Sequence, residues 1–159
     1  MPSESPLIYL VDDAPEVRMI TRENLAMAGY SVREADNGEA ARALLDAYAP
    51  RLILLDGAMP VLDGFEFCAW LRRQADGRRI PVLMMLEQEI RGQIERAFDA
   101  GASDYITKPI NPTTLIQRVR FLLHASQTLE ELELSRESLA AAQRIARLGS
   151  WTMDFSKSR

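Results

Sequence analysis

The sequence predicts an α/β fold in which five parallel strands, with helices on both faces, are followed by a long C-terminal helix. Three observations carry that prediction. Short continuous apolar runs, LIYLV at residues 7–11 above all, have the pattern of strands buried on both faces. Between them lie stretches of helical periodicity punctuated by Pro, Asn and Gly. Residues 113–148 contain no helix breaker at all.

Residues 7–11 form the first strand. A helix is expected near Pro15, since proline in a first turn and acidic residues near a helix N-terminus are both favourable. Val17, Ile20, Leu25, Met27 and Ala28 supply its apolar stripe, and Gly29 ends it. Residues 30–35 read as a second strand. Asn37-Gly38 then punctuates the chain before a second helix at 39–48, with Ala40, Ala43, Leu44 and Ala47 on one face. Residues 52–55 are a third strand that runs into Asp56, and residues 65–75 a third helix. The fourth strand spans 80–86, with Pro81 near its start, where a missing ladder donor is tolerated. A fourth helix at 89–100 is stopped by Gly101, and 104–107 is a short fifth strand. Strands alternating with helices imply right-handed βαβ units, which bring every strand's C-terminal end to one edge of the sheet.

Composition excludes several classes. The 159 residues suffice for one good-sized core and a short extension, and 47% hydrophobic with 26% charged residues argues against global disorder. A net charge of −4 and a pI of about 5.1 give no basic surplus for nucleic acid. Cys68 has no second cysteine to pair with, which fits a reducing cytosol, and Cys68 with His124 cannot make a Cys/His zinc site. No apolar stretch is long enough to span a membrane, and the N-terminus lacks the basic region of a signal peptide. The expectation is a soluble cytoplasmic protein that meets neither membrane nor nucleic acid through this region.

The charged residues at strand ends carry the chemistry. The first strand ends in Asp12-Asp13, the third in Asp56, and Lys108 follows the fifth. Any one of these Asp residues could simply cap a turn, but together they fall on the sheet edge where open α/β folds bind ligands. Carboxylates gathered there repel one another unless a cation joins them. Hard oxygen ligands favour Mg²⁺ or Mn²⁺, and a lysine beside them can meet a phosphate. Carboxylates also serve as nucleophiles that form aspartyl phosphates, and Asp56 is the central candidate. An aspartate-nucleophile phosphohydrolase would need a second carboxylate two residues on, where this chain has Ala58.

The pieces "LVDDAPEVR", "LLDGAMPVLDG" and "AGASDYITKPI", in that order across residues 7–124, resemble the receiver domain of two-component response regulators. The resemblance implies a flavodoxin-like doubly wound sheet. It implies that Asp56 accepts a phosphoryl group from a histidine kinase or phosphotransfer protein. Asp13 and Asp56 then bind Mg²⁺ (or Mn²⁺) directly, the carbonyl of Ala58 is a further ligand, and Asp12 acts mainly through water. Lys108 pairs with the phosphoryl oxygens, and the bond before Pro109 is cis. Apart from self-phosphorylation and autodephosphorylation, no enzymatic activity is implied, and Ala58 and Gln88 lie where the phosphoryl lifetime is tuned in the family. Gly64 is either a turn position or a helix start that needs a small side chain.

The sequence departs from that pattern at the end of the fourth strand. Receivers usually carry Thr or Ser there, followed by a small residue, and the hydroxyl bonds a phosphoryl oxygen while an aromatic residue follows it inward. This chain has Leu86 and Glu87, with Tyr105 at the aromatic position. Leucine neither donates nor accepts a hydrogen bond, and Glu87 adds a negative charge if it points inward. Either phosphorylation persists with altered coupling to Tyr105, or the domain is a phosphorylation-independent dimerisation module.

The tail admits a heptad reading with Leu122, Leu129, Arg136 and Gln143 at a and Ala125, Leu132, Leu139 and Ala146 at d. A parallel homodimer through residues 115–148 is the expectation, a single exposed helix the alternative. The end, "AAQRIARLGSWTMDFS", resembles the opening of a PAS sensor domain. The expected organisation is a disordered N-terminus at 1–6, the receiver at 7–124, a signalling helix at 125–148, and a truncated PAS start at 149–159 that leads towards an absent output region.

Overall fold

The structure is a computed structural model that describes residues 4–88 and 90–157; the side chains of 149–157 lie outside that description. Five strands alternate with helices: β1 (Leu7–Val11), α1 (Pro15–Met27), β2 (Ser31–Ala35), α2 (Gly38–Leu45), β3 (Leu52–Asp56), α3 (Gly64–Arg73), β4 (Val82–Glu87), α4 (Gln93–Asp99), β5 (Asp104–Lys108) and α5 (Pro112–Lys157). The sheet order is β2-β1-β3-β4-β5, and every pairing is parallel. This is the doubly wound arrangement, with its switch in strand order between β1 and β3.

Because side chains alternate along a strand, each strand feeds two cores. Tyr9, Val11, Ile53, Leu55 and Met84 pack with Phe67 and Leu71 of α3 on one face. Ile8, Leu10, Leu54, Leu83 and Met85 pack on the other with Leu25 of α1 and Leu115, Val119 and Leu122 of α5. Leu122 is therefore part of this core, not the first position of an exposed seam. The chain divides into two compact units, residues 1–124 and residues 125–159, the second a continuation of α5. Along it Leu129, Leu132, Leu134, Leu139 and Ile145 are exposed. The PAS-like opening at 149–159 falls outside the residues whose side chains are described. Among the described residues no helix is long and apolar enough to cross a membrane.

Helix boundaries differ from the expectation where a local contact intervenes. The fourth helix starts at Gln93 rather than 89, because Gly92 takes a left-handed φ of 80° and the Gln93 side chain accepts from the Glu87 N–H at 3.2 Å. The second helix stops at Leu45, and the Tyr9 hydroxyl donates to the carbonyls of Leu44 and Tyr48. Both β3 and β4 run one residue further than expected, so Asp56 and Glu87 are themselves strand residues.

Gly64 is the first residue of α3, after the N-cap Asp63, whose side chain accepts from the Glu66 N–H at 2.8 Å. A Cβ on Gly64 would lie 2.0 Å from the carbonyl oxygen of Asp56. Helix α3 thus starts hard against the strand end that carries the candidate nucleophile, and a methyl group has no room there. Gly64→Ala is expected to destabilise the domain by about 1–3 kcal/mol, the usual range for overpacking. A fall in the urea midpoint with an unchanged m-value checks it.

Candidate functional site

The site is built from three strand ends. Asp12 follows β1 and is fully buried; its N–H donates to the Ala35 carbonyl at 3.1 Å and its Oδ1 accepts from the Ala14 N–H at 2.9 Å. Asp56 ends β3, is 3% exposed, and accepts from the Ala58 N–H at 3.3 Å. Lys108 ends β5, with Nζ 3.2 Å from Asp56 Oδ1 and 3.3 Å from Asp12 Oδ2. Asp13 is exposed, and carboxylate oxygens of Asp12, Asp13 and Asp56 lie within 4.8 Å of one another. The peptide bond before Pro109 is cis.

One ammonium does not neutralise three carboxylates. Burial, and next the charge of Asp12, push the Asp56 carboxyl up to about 7, although Lys108 and the Ala58 N–H pull the other way. Burial alone lowers Lys108, but Asp56 and Asp12 outweigh it and hold the ammonium above its ordinary value. Asp12 Oδ2 has Lys108 beside it yet no well-directed hydrogen bond among the described residues. A buried carboxylate oxygen left in that state, beside two more carboxylates, suits a hard divalent cation such as Mg²⁺. Asp12, Asp13 and Asp56 fit that role by their oxygens, and Ala58 follows Asp56 in the loop after β3.

The end of β4 borders this cluster. Leu86 is 2% exposed, packed in the same core as Phe65, and both lie over Gly57, where a Cβ would come within 3.1 Å of the Phe65 ring and 3.2 Å of Leu86 Cδ2. Its place in the strand ladder is opposite Thr107, and that of Glu87 is opposite Lys108. Glu87 does turn towards the site: its Oε1 is 3.9 Å from Lys108 Nζ. Tyr105, half-buried on β5, meets the Phe98 ring edge-on at 6.0 Å between centroids.

Two residues that sequence reasoning missed support the site from outside. Arg18 of α1 donates to the Asp12 carbonyl at 2.7 Å, and Arg96 of α4 lies 3.4 Å from Asp63 and over the Phe65 ring. Each reads in the sequence as an ordinary surface arginine of a helix, so no signal marked it.

The profile of the response regulator receiver domain matches residues 8–120. Among curated relatives, the DNA-binding dual master transcriptional regulator RpaA of Synechocystis is 39% identical over 137 residues, covering 84% of this chain and 56% of that protein. The response regulator PleD of Caulobacter vibrioides is 35% identical over 128 residues, 80% of this chain and 28% of PleD. The chain thus spans about half or less of these relatives' length. A receiver domain of a histidine kinase from Syntrophus aciditrophicus superimposes with a TM-score of 0.73 at 33% identity, covering 76% of this chain and 92% of its own. The receiver domain of the sensor kinase PA1611 from Pseudomonas aeruginosa, with magnesium coordinated in its active-site cleft, gives 0.71 at 28% identity, over 76% of this chain and 98% of its own.

The raised Asp56 carboxyl has a consequence for stability. An unfolded carboxylate titrates near 3.9, so between there and about 7 the folded state keeps a proton that the unfolded state releases. That stability is fully present below about pH 4 and is lost as pH rises through about 7. Asp56→Asn, which mimics the protonated form, is expected to stabilise the metal-free protein by about 1–3 kcal/mol at pH 8 and by little at pH 4. Denaturant unfolding at the two pH values in EDTA checks it.

Proposed function

The chain belongs to the response regulator receiver domain family, and from that premise we propose that Asp56 is its phosphoryl acceptor. The observation that carries this reading is Lys108 Nζ at 3.2 Å from Asp56 and 3.3 Å from Asp12, in a cluster completed by Asp13. The phosphodonor is a histidine kinase or phosphotransfer protein. A carboxylate oxygen of Asp56 attacks phosphorus as the phosphorus–nitrogen bond of the donor's phosphohistidine breaks. The electron pair leaves on the imidazole nitrogen, and an acyl phosphate remains on Asp56.

Lys108 is positioned to transfer its charge from the Asp56 carboxylate to the new phosphoryl oxygens. Asp13, Asp56 and the Ala58 carbonyl would hold Mg²⁺, with Asp12 acting mainly through water. The bound cation supplies charge neutralisation for the phosphoryl oxygens. Near-complete burial of Asp12 and Asp56 makes these charges act more strongly than they do in water.

Leu86 cannot donate the hydrogen bond that a Thr or Ser gives the phosphoryl group, a contact worth about 1.5–3 kcal/mol when one partner is charged. Coupling from Asp56 to Tyr105 is accordingly weaker than in a hydroxyl-bearing receiver, or built through apolar packing. The signal passes onward along α5, whose exposed Leu129, Leu132 and Leu139 form the seam of a parallel homodimer. Residues 125–148 are the signalling helix, and 149–159 the opening of a PAS domain. The absence of a hydroxyl at Leu86 favours a second reading, in which the domain dimerises without phosphorylation control.

The two readings separate in one experiment. Acetyl phosphate with Mg²⁺ is expected to add one phosphoryl group to the wild-type chain and none to Asp56→Ala, as read by intact mass. Leu86→Thr is expected to lengthen the life of the product about tenfold or more, the weight of one recovered charged hydrogen bond. A folded dimer that takes no phosphoryl group on Asp56 supports the second reading.

A further inference from the structure

Among the described residues the Lys108 ammonium has three carboxylate neighbours, and one of them has no part in the chemistry above. Glu87 Oε1 stands 3.9 Å from Nζ, beyond Asp56 at 3.2 Å and Asp12 at 3.3 Å. The placement is fixed by the backbone. Glu87 is opposite Lys108 in the β4–β5 ladder, and its N–H is held by the Gln93 side chain at 3.2 Å. The adjoining Leu86 is buried and offers no donor, so at the end of β4 the site meets a carboxylate where a phosphoryl group needs hydrogen-bond donors.

We propose that Glu87 restrains phosphoryl acceptance at Asp56 by competing for Lys108 and by repelling the incoming phosphoryl dianion. The proposal rests on the phosphoacceptor reading. When the Asp56 carboxylate attacks phosphorus, Lys108 must turn its charge to oxygens that arrive from outside the cluster. Glu87 holds that same charge from the solvent side. Its own charge lies within a few ångströms of the path, where like charges raise the barrier. Glu87 is half exposed, so screening limits the effect to a modest factor. It is a positioning residue: it acts through Lys108 and through its field, and accepts no phosphoryl group itself.

The test compares initial rates of Asp56 phosphorylation by acetyl phosphate at saturating Mg²⁺ in the wild-type chain, Glu87→Gln, Glu87→Asp and Glu87→Ala. Glu87→Gln keeps the shape and removes the charge, and is expected to react about three- to tenfold faster at low ionic strength. That advantage should shrink as salt is added, because it is electrostatic. Glu87→Asp should stay near the wild-type rate, and Glu87→Ala should match Glu87→Gln.

Three results overturn the proposal. An unchanged or slower Glu87→Gln shows that the charge does not restrain the reaction. Acceleration by Glu87→Ala alone shows that bulk, not charge, is the obstacle. Weaker Mg²⁺ binding by Glu87→Gln with a slower rate, read by calorimetry without phosphodonor, makes Glu87 a metal ligand instead. If no variant gives an Asp56-dependent product, the phosphoacceptor reading fails and this proposal with it.

Discussion

The ammonium of Lys108 reaches from β5 across the end of β4 to Asp56 on β3 and Asp12 beyond β1, and the site is organised around that span. Without a cation, two buried carboxylates side by side would be held in the fold at the cost of mutual repulsion and lost solvation. The sheet order makes the contact available: β1 and β3 are neighbours at the switch point, and β5 stands two strands from β3. The lysine must therefore cross whatever ends β4, and the residues there decide how freely its charge can move. In this chain they are a buried leucine and a half-exposed glutamate. Burial first, and the charge of Asp12 second, push the Asp56 carboxyl up to about 7, and one ammonium beside three carboxylates does not bring it down.

Much of this was legible in the sequence because buried parallel strands are written as unbroken apolar runs. LIYLV and LILLD leave no other comfortable reading, and with the strands placed the four charged residues share one edge. The direction of Glu87 was not legible. Strand alternation places it only if the strand's last residue is known, and the β4 ladder runs one residue beyond the apolar run, to Glu87 itself. The start of α4 was hidden for a similar reason, since a left-handed Gly92 and a side-chain contact from Gln93 set it, not periodicity. Gly64 had two readings that only the approach of the Asp56 carbonyl could separate.

The heptad pattern of α5 illustrates a different limit. Leu115, Val119 and Leu122 continue the same apolar spacing as Leu129 and Leu132, yet they belong to the core of the first unit while the later leucines are exposed. Periodicity reports that a helix face is apolar, not what covers it. The exposed leucines all lie beyond residue 124, in the second unit.

Burial and Asp12 hold the Asp56 carboxyl far above its ordinary value, and a divalent cation joining the cluster is expected to bring it down. The direct measurement is the pH titration of the Asp56 carboxyl carbon by NMR, with and without Mg²⁺. A midpoint near pH 7 in EDTA that falls by at least a unit with Mg²⁺ is the predicted result. A midpoint near 4 in EDTA, unmoved by Mg²⁺, would contradict it.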